Sequence, residues 1–138
     1  MKKIFLELLC ILMMCGCTGK GKIEYASIDH VFEKMDHKDT FLLLISKESC
    51  IHCKALKEML EDTLKKQDVV LYTVQLDESS EEATQKDKDR LRERFEDADL
   101  TPHVFYIEKG EVKDDLLGYQ ENHPEYFWDW VNNLPKSS

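Results

Sequence analysis

At 138 residues and a formal net charge of −9, the chain has room for one folded domain and not comfortably for two. Its 42% hydrophobic and 34% charged residues suit a compact body rather than a disordered chain. The acidic balance argues against nucleic acid or an anionic lipid surface as a partner, because phosphates repel it.

The chain opens on an address rather than on a fold. Met1-Lys2-Lys3 makes a positive n-region, and residues 4–14 form an apolar run broken only by Glu7. That run is too short for a membrane span of about 20 residues but suits a secretory h-region. Gly16 before Cys17 resembles the bacterial lipobox, in which a small residue precedes the cysteine that takes the lipid. Bulky Met14 makes Cys15 the poorer candidate. The expectation is a lipoprotein signal peptide over 1–16, a lipidated tether over 17–23 with Cys17 as the lipidation site, and a domain over 24–138. An ordinary signal peptide or an uncleaved anchor is the alternative.

In the domain, a short strand is expected near Ile23–Tyr25. Ile28, Val31, Phe32 and Met35 fall at i, i+3, i+4 and i+7, one apolar face of a helix. Phe41-Leu42-Leu43-Leu44-Ile45 is a continuous apolar run, as in a strand covered on both sides. Leu56, Met59, Leu60, Thr63 and Leu64 return to helical spacing, and residues 69–76 read as a second buried strand. Ser79-Ser80-Glu81-Glu82 reads as a capping box. It opens a charged helix whose apolar side is Ala83, Leu91, Phe95 and Ala98. Residues 104–107 form a strand that Lys109-Gly110 turns into a hairpin, and Pro124 starts a last helix with Phe127, Trp130, Val131 and Leu134 on one face. Trp130 is expected in the core, Trp128 partly exposed, and His30, His37 and His123 at the surface. This alternation implies an α/β body with parallel crossovers and a closing hairpin.

Chemistry concentrates between the first buried strand and the helix after it. Only two of the five cysteines, Cys50 and Cys53, lie in the domain, so a framework of structural disulfides is excluded. Ser49 is the expected N-cap, placing Cys50 in the first turn, where free N–H groups and the helix dipole favour a thiolate. Two intervening residues set the second sulfur about one turn away. Cys50 is then the exposed nucleophile and Cys53 the covered thiol that resolves a mixed disulfide. His52 stabilises the Cys50 thiolate when protonated, and Ile51 adds apolar contact surface. A CxxC can also be half of a zinc site, but no second cysteine pair exists, leaving only His52 and His103 to complete one. Thr101-Pro102, at the mouth of a strand, marks a turn with a candidate cis bond.

Three landmarks together resemble the thioredoxin superfamily over about residues 24–135. They are the CxxC after a buried strand, Thr101-Pro102 about fifty residues on, and the Lys109-Gly110 hairpin before a last helix. The resemblance implies a thioredoxin-like three-layer α/β sandwich, with a central mixed sheet of four to five strands flanked by helices. It implies that Thr101-Pro102 is cis and packs on the sulfurs, with Pro102 shaping the site and Thr101 binding an extended substrate segment. The implied activity is thiol–disulfide exchange with protein or peptide thiols, needing no cofactor. The implied partners are those thiols, the membrane through the lipid anchor, a membrane redox carrier, and no nucleic acid. The leader and charged helix look like Gram-positive thioredoxin-like lipoproteins, some of which accompany bacteriocin export. That likeness implies the alternative of an accessory protein with dispensable cysteines. Two positions depart from the superfamily: Ser49 stands where thioredoxins carry Trp, and Leu44 where they carry a buried Asp. The Cys-x-His-Cys form is similar to that of disulfide oxidases and isomerases, so oxidase-like or isomerase-like chemistry is expected over general reduction.

Overall fold

The computed structural model describes residues 19–135, so the leader and Cys17 lie outside the described residues. In chain order the elements are β1 (Lys22–Tyr25), α1 (Ile28–Asp36), β2 (Phe41–Ser46), α2 (Ile51–Thr63), a 3-10 turn (Leu64–Lys66), β3 (Val70–Gln75), α3 (Glu81–Arg92), β4 (His103–Glu108), β5 (Glu111–Leu117) and α4 (Glu125–Asn133). The strands form one mixed sheet in the order β1-β3-β2-β4-β5. β1 and β2 run parallel to β3, while β4 runs antiparallel to both β2 and β5.

The pleat of β2 explains its unbroken apolar sequence. Every residue from Phe41 to Ser46 is buried, because β2 lies in the middle of the sheet with helices on both faces. Phe41, Leu43 and Ile45 point to one face and join α1, Val74, Leu91, Phe95 and Ala98 in one core. Leu42 and Leu44 point to the other face and pack with Leu56, Leu60, Leu71, Val104 and Phe127 in a second core. Each fully buried leucine or isoleucine contributes roughly 1.5–3 kcal/mol. The expected three-layer α/β sandwich is therefore the observed one, with five strands.

Local signals act much as the sequence suggests. Ser27 caps α1 by accepting the His30 N–H at 3.1 Å, and Ile28, Val31 and Met35 are buried. At α3 the structure shifts the expected box by one residue: the cap is Ser80, whose Oγ accepts the Ala83 N–H at 3.2 Å, so N3 is Ala83 and no Ser79–Glu82 capping box forms, while Glu81 and Glu82 fall in the first turn, where carboxylates are favoured. Phe95 and Ala98 are fully buried but lie past the end of α3, in the turns that lead to residue 101. Lys109 and Gly110 both take positive φ (50° and 80°) to close the β4–β5 hairpin. A Cβ on Gly110 would also meet the Met35 carbonyl, so this turn needs glycine twice over.

The last helix corrects one expectation. Phe127 occupies the core, and Trp130 is only half-buried, as is Trp128. The two indoles flank Phe127 at the rim, so each N–H keeps a polar partner: Trp128 Nε1 donates to Thr63 Oγ1 at 3.0 Å, and Trp130 Nε1 to Asp114 Oδ2 at 3.2 Å. Among the described residues, no helix is long and apolar enough to cross a membrane.

Candidate functional site

Parallel strands β2 and β3 end side by side, with Ser46 in register with Gln75. The ladder closes where the Leu76 N–H donates to the Ser46 carbonyl at 2.9 Å. The chain after β2 then turns over the end of the sheet into α2. The Cys50 N–H donates to the Lys47 carbonyl at 3.3 Å, closing that turn.

Here the structure corrects the expected cap. Cys50, not Ser49, is the N-cap of α2: its backbone is extended (φ −92°, ψ 113°), and its Sγ accepts the Cys53 N–H at 3.1 Å. A free helix N–H thus points at the sulfur itself, which is the arrangement that stabilises a thiolate. Cys50 is half-buried, while Cys53, inside the helix, is fully buried. The two are paired as a disulfide with a Cα–Cα separation of 5.2 Å, within the usual 4.4–6.8 Å range.

Ser49 has another role. Its N–H and Oγ both donate to Asp77 Oδ2, at 3.0 and 2.7 Å, and the Glu48 N–H donates to Asp77 Oδ1 at 2.5 Å. Partial burial works against the charged form of Asp77, but the Ser49 and Glu48 bonds outweigh it and hold the carboxyl far below the usual carboxylate range. Neighbouring Lys47 is pushed the opposite way from a salt-bridged lysine: burial, then the nearby Lys88, lowers its pKa.

The second wall of the site is the segment before β4. The Thr101–Pro102 bond is cis, and Pro102 is buried. The Thr101 carbonyl lies 3.6 Å from Cys50 Sγ, so a reduced Cys50 can donate its S–H there. The Pro102 carbonyl accepts the Gly118 N–H at 2.8 Å, and buried Phe95 and Ala98 anchor the approach. Asp99 is tied to Arg92 at 3.0 Å; that guanidinium keeps its carboxyl below the ordinary value. The structure thus brings Cys50, Cys53, Thr101 and Pro102 together.

The other expected site residues lie at the rim. Ile51 is 79% exposed and Leu100 48%, so apolar surface stands open on both sides of the sulfurs. His52 has a 66% exposed side chain, and its Nδ1 lies 3.2 Å from Glu121 Oε1. Leu44, where a buried acid was absent from the sequence, is fully buried in the apolar core beneath α2. His103 is buried, its Nδ1 3.1 Å from the Asp97 carbonyl and its Nε2 2.6 Å from Asp115 Oδ2. Among the described residues no three His, Cys, Asp or Glu side chains are placed to hold a metal ion.

Sequence reading missed Asp77. The signal that could have found it is topological: it is the first polar residue beyond a parallel strand, at the carboxyl end, where sites of α/β sheets gather.

A family model described as a thioredoxin-like domain matches residues 31–135. No curated protein sequence matches the chain. Among solved structures, the chain is similar to a thioredoxin of Malassezia sympodialis, at 16% identity over 80% of this chain and 90% of that one, with a TM-score of 0.60. It is also similar to oxidised thioredoxin O2 of Arabidopsis thaliana (16% identity, 79% and 93% covered, TM-score 0.56). A third is a protein called Trxlp from Edwardsiella tarda (15% identity, 80% and 98% covered, TM-score 0.56). At these identities the likeness is one of fold.

Proposed function

We propose, from the premise that the chain belongs to the thioredoxin-like domain family, that it is a thiol–disulfide oxidoreductase working outside the cytoplasm. In this reading Cys17 carries the lipid that holds it at the membrane of a bacterium, and Cys50 and Cys53 exchange disulfides with protein or peptide thiols. The supporting observation is the Cys50 sulfur itself. It caps α2, receives the Cys53 N–H, and faces the Thr101 carbonyl beside the cis proline.

A substrate thiolate attacks Cys50 Sγ of the disulfide, forming a mixed disulfide and releasing Cys53 as a thiolate that takes up a proton. A second substrate thiolate attacks the substrate sulfur of that mixed disulfide and expels the Cys50 thiolate. One substrate disulfide is made, and the protein is left as a dithiol. A partner disulfide or membrane redox carrier must then reoxidise it. The reverse path, in which Cys53 attacks the mixed disulfide, reduces the substrate.

Two observations favour the oxidising or isomerising direction. The helix cap lowers the cost of the Cys50 thiolate, and a stabilised reduced form makes the disulfide a stronger oxidant. Leu44 supplies no buried carboxylate to take the Cys53 proton, which disfavours efficient general reduction. Exposed Ile51 and Leu100 offer an apolar rest for an extended substrate segment whose backbone pairs at Thr101.

The test is a Cys53→Ala chain expressed in cells, in which mixed disulfides through Cys50 accumulate and are identified after non-reducing separation. A Cys50→Ser/Cys53→Ser chain that captures nothing, yet retains the full cellular phenotype, would replace this reading with that of an accessory protein in peptide or bacteriocin export.

A further inference from the structure

We propose that Asp77 is the positioning residue of the redox pair, holding the turn over residues 47–49 so that the Cys50 sulfur stands at the N-terminus of α2. This rests on the reading of Cys50 as the attacking sulfur.

A turn that leaves a sheet and enters a helix exposes backbone N–H groups with no ladder partner. Here there are three in a row. The Cys50 N–H closes on the Lys47 carbonyl, and the other two, of Glu48 and Ser49, converge on the Asp77 carboxylate. Successive N–H groups facing one anion make a nest, and the Ser49 hydroxyl adds a third donor. A fourth comes from the side: Gln75 Nε2 donates to Asp77 Oδ1 at 3.3 Å, while Gln75 Oε1 accepts from Lys57 Nζ of α2 at 2.6 Å. The chain of bonds runs from α2 through Gln75 and Asp77 to the turn, and returns to α2 at Cys50. Both ends of that circuit lie on the helix whose first N–H groups stabilise the sulfur.

Geometry outweighs charge in this arrangement. An anion near Cys50 opposes a second one, but four donors already surround this carboxylate. What they leave is the clasp, and without it the turn is free to carry the sulfur away from the Cys53 N–H. Serine at position 49 is the side chain that completes the clasp, its Oγ 2.7 Å from Asp77 Oδ2.

The experiment uses the full chain, reduced, with Cys50 alkylation by iodoacetamide followed from pH 5 to 10 and located by fragment mass. Asp77→Asn keeps one acceptor oxygen and should slow alkylation at pH 7 by about three- to fivefold, with the plateau at high pH unchanged. Asp77→Ala should slow it further. Ser49→Ala, which removes one exposed hydroxyl and leaves the fold intact, should slow it about twofold. Leu91→Ala, a core change far along the chain, should lower stability without moving the pH profile. An unchanged or faster rate in both Asp77→Asn and Ser49→Ala overturns the assignment while leaving Cys50 as the nucleophile. A wild-type Cys50 that alkylates like an ordinary thiol overturns both this and the proposed activity.

Discussion

Replacing Asp77 by asparagine should cost the fold a definite amount, and that amount should depend on pH. The carboxylate accepts four hydrogen bonds, two on each oxygen. Asparagine can keep the Oδ1 pair, but its NH2 group cannot accept from the Ser49 N–H and hydroxyl. Bonds to a charged acceptor contribute roughly 1.5–3 kcal/mol each when buried, and Asp77 is only half-buried, so the two lost bonds together come to about 2 kcal/mol at pH 7. The sign with pH follows from linkage. The group's folded pKa is depressed from 3.8, so its stabilisation is complete above that value and is lost as pH falls towards the folded pKa. At pH 3 the wild-type advantage should therefore shrink by about 1 kcal/mol, at 1.36 kcal/mol per pH unit below the unfolded value. Urea unfolding of both proteins at pH 7, 5 and 3, followed by far-ultraviolet circular dichroism, reads the gap directly. A gap that stays constant from pH 7 to pH 3, or is absent at pH 7, would refute the carboxylate as the anchor of the turn.

Leu44→Ala should destabilise the domain by roughly 2–5 kcal/mol in the same urea assay, since Leu44 is fully buried between α2 and the sheet. Thr73 Oγ1 is buried without a protein partner among the described residues, so Thr73→Val should raise stability by about 1 kcal/mol; a loss would mean that the hydroxyl is satisfied. His52→Ala should lower the reduction potential of the Cys50–Cys53 pair by about 30 mV, equivalent to a tenfold change in the exchange constant with glutathione. No change would mean that His52, whose Nδ1 lies 3.2 Å from Glu121 Oε1, does not act on the sulfurs. Cys17→Ala should move the protein from the membrane fraction to the medium, read by fractionation of expressing cells.

What the sequence determined by itself is what short-range periodicity encodes. A continuous apolar run from Phe41 to Ile45, too short for a helix of its own and followed at once by polar residues, reads as a strand covered on both faces, and the i, i+3, i+4 spacing over residues 28–35 and 56–63 reads as one buried side of a helix. Because the CxxC lies between such a strand and such a helix, its place at a helix start was legible too. The tertiary structure decided the rest, because unpaired backbone groups are satisfied by whatever the fold brings near them. Ser49 was a reasonable cap by residue type, yet the register of β2 on β3 put Asp77 within its reach and left the cap to Cys50. The same logic buried His103 between Asp97 and Asp115, and moved Trp130 to the rim so that its indole N–H could reach Asp114. Periodicity says which side of an element is dry; only the packed sheet says which donor meets which acceptor at its ends.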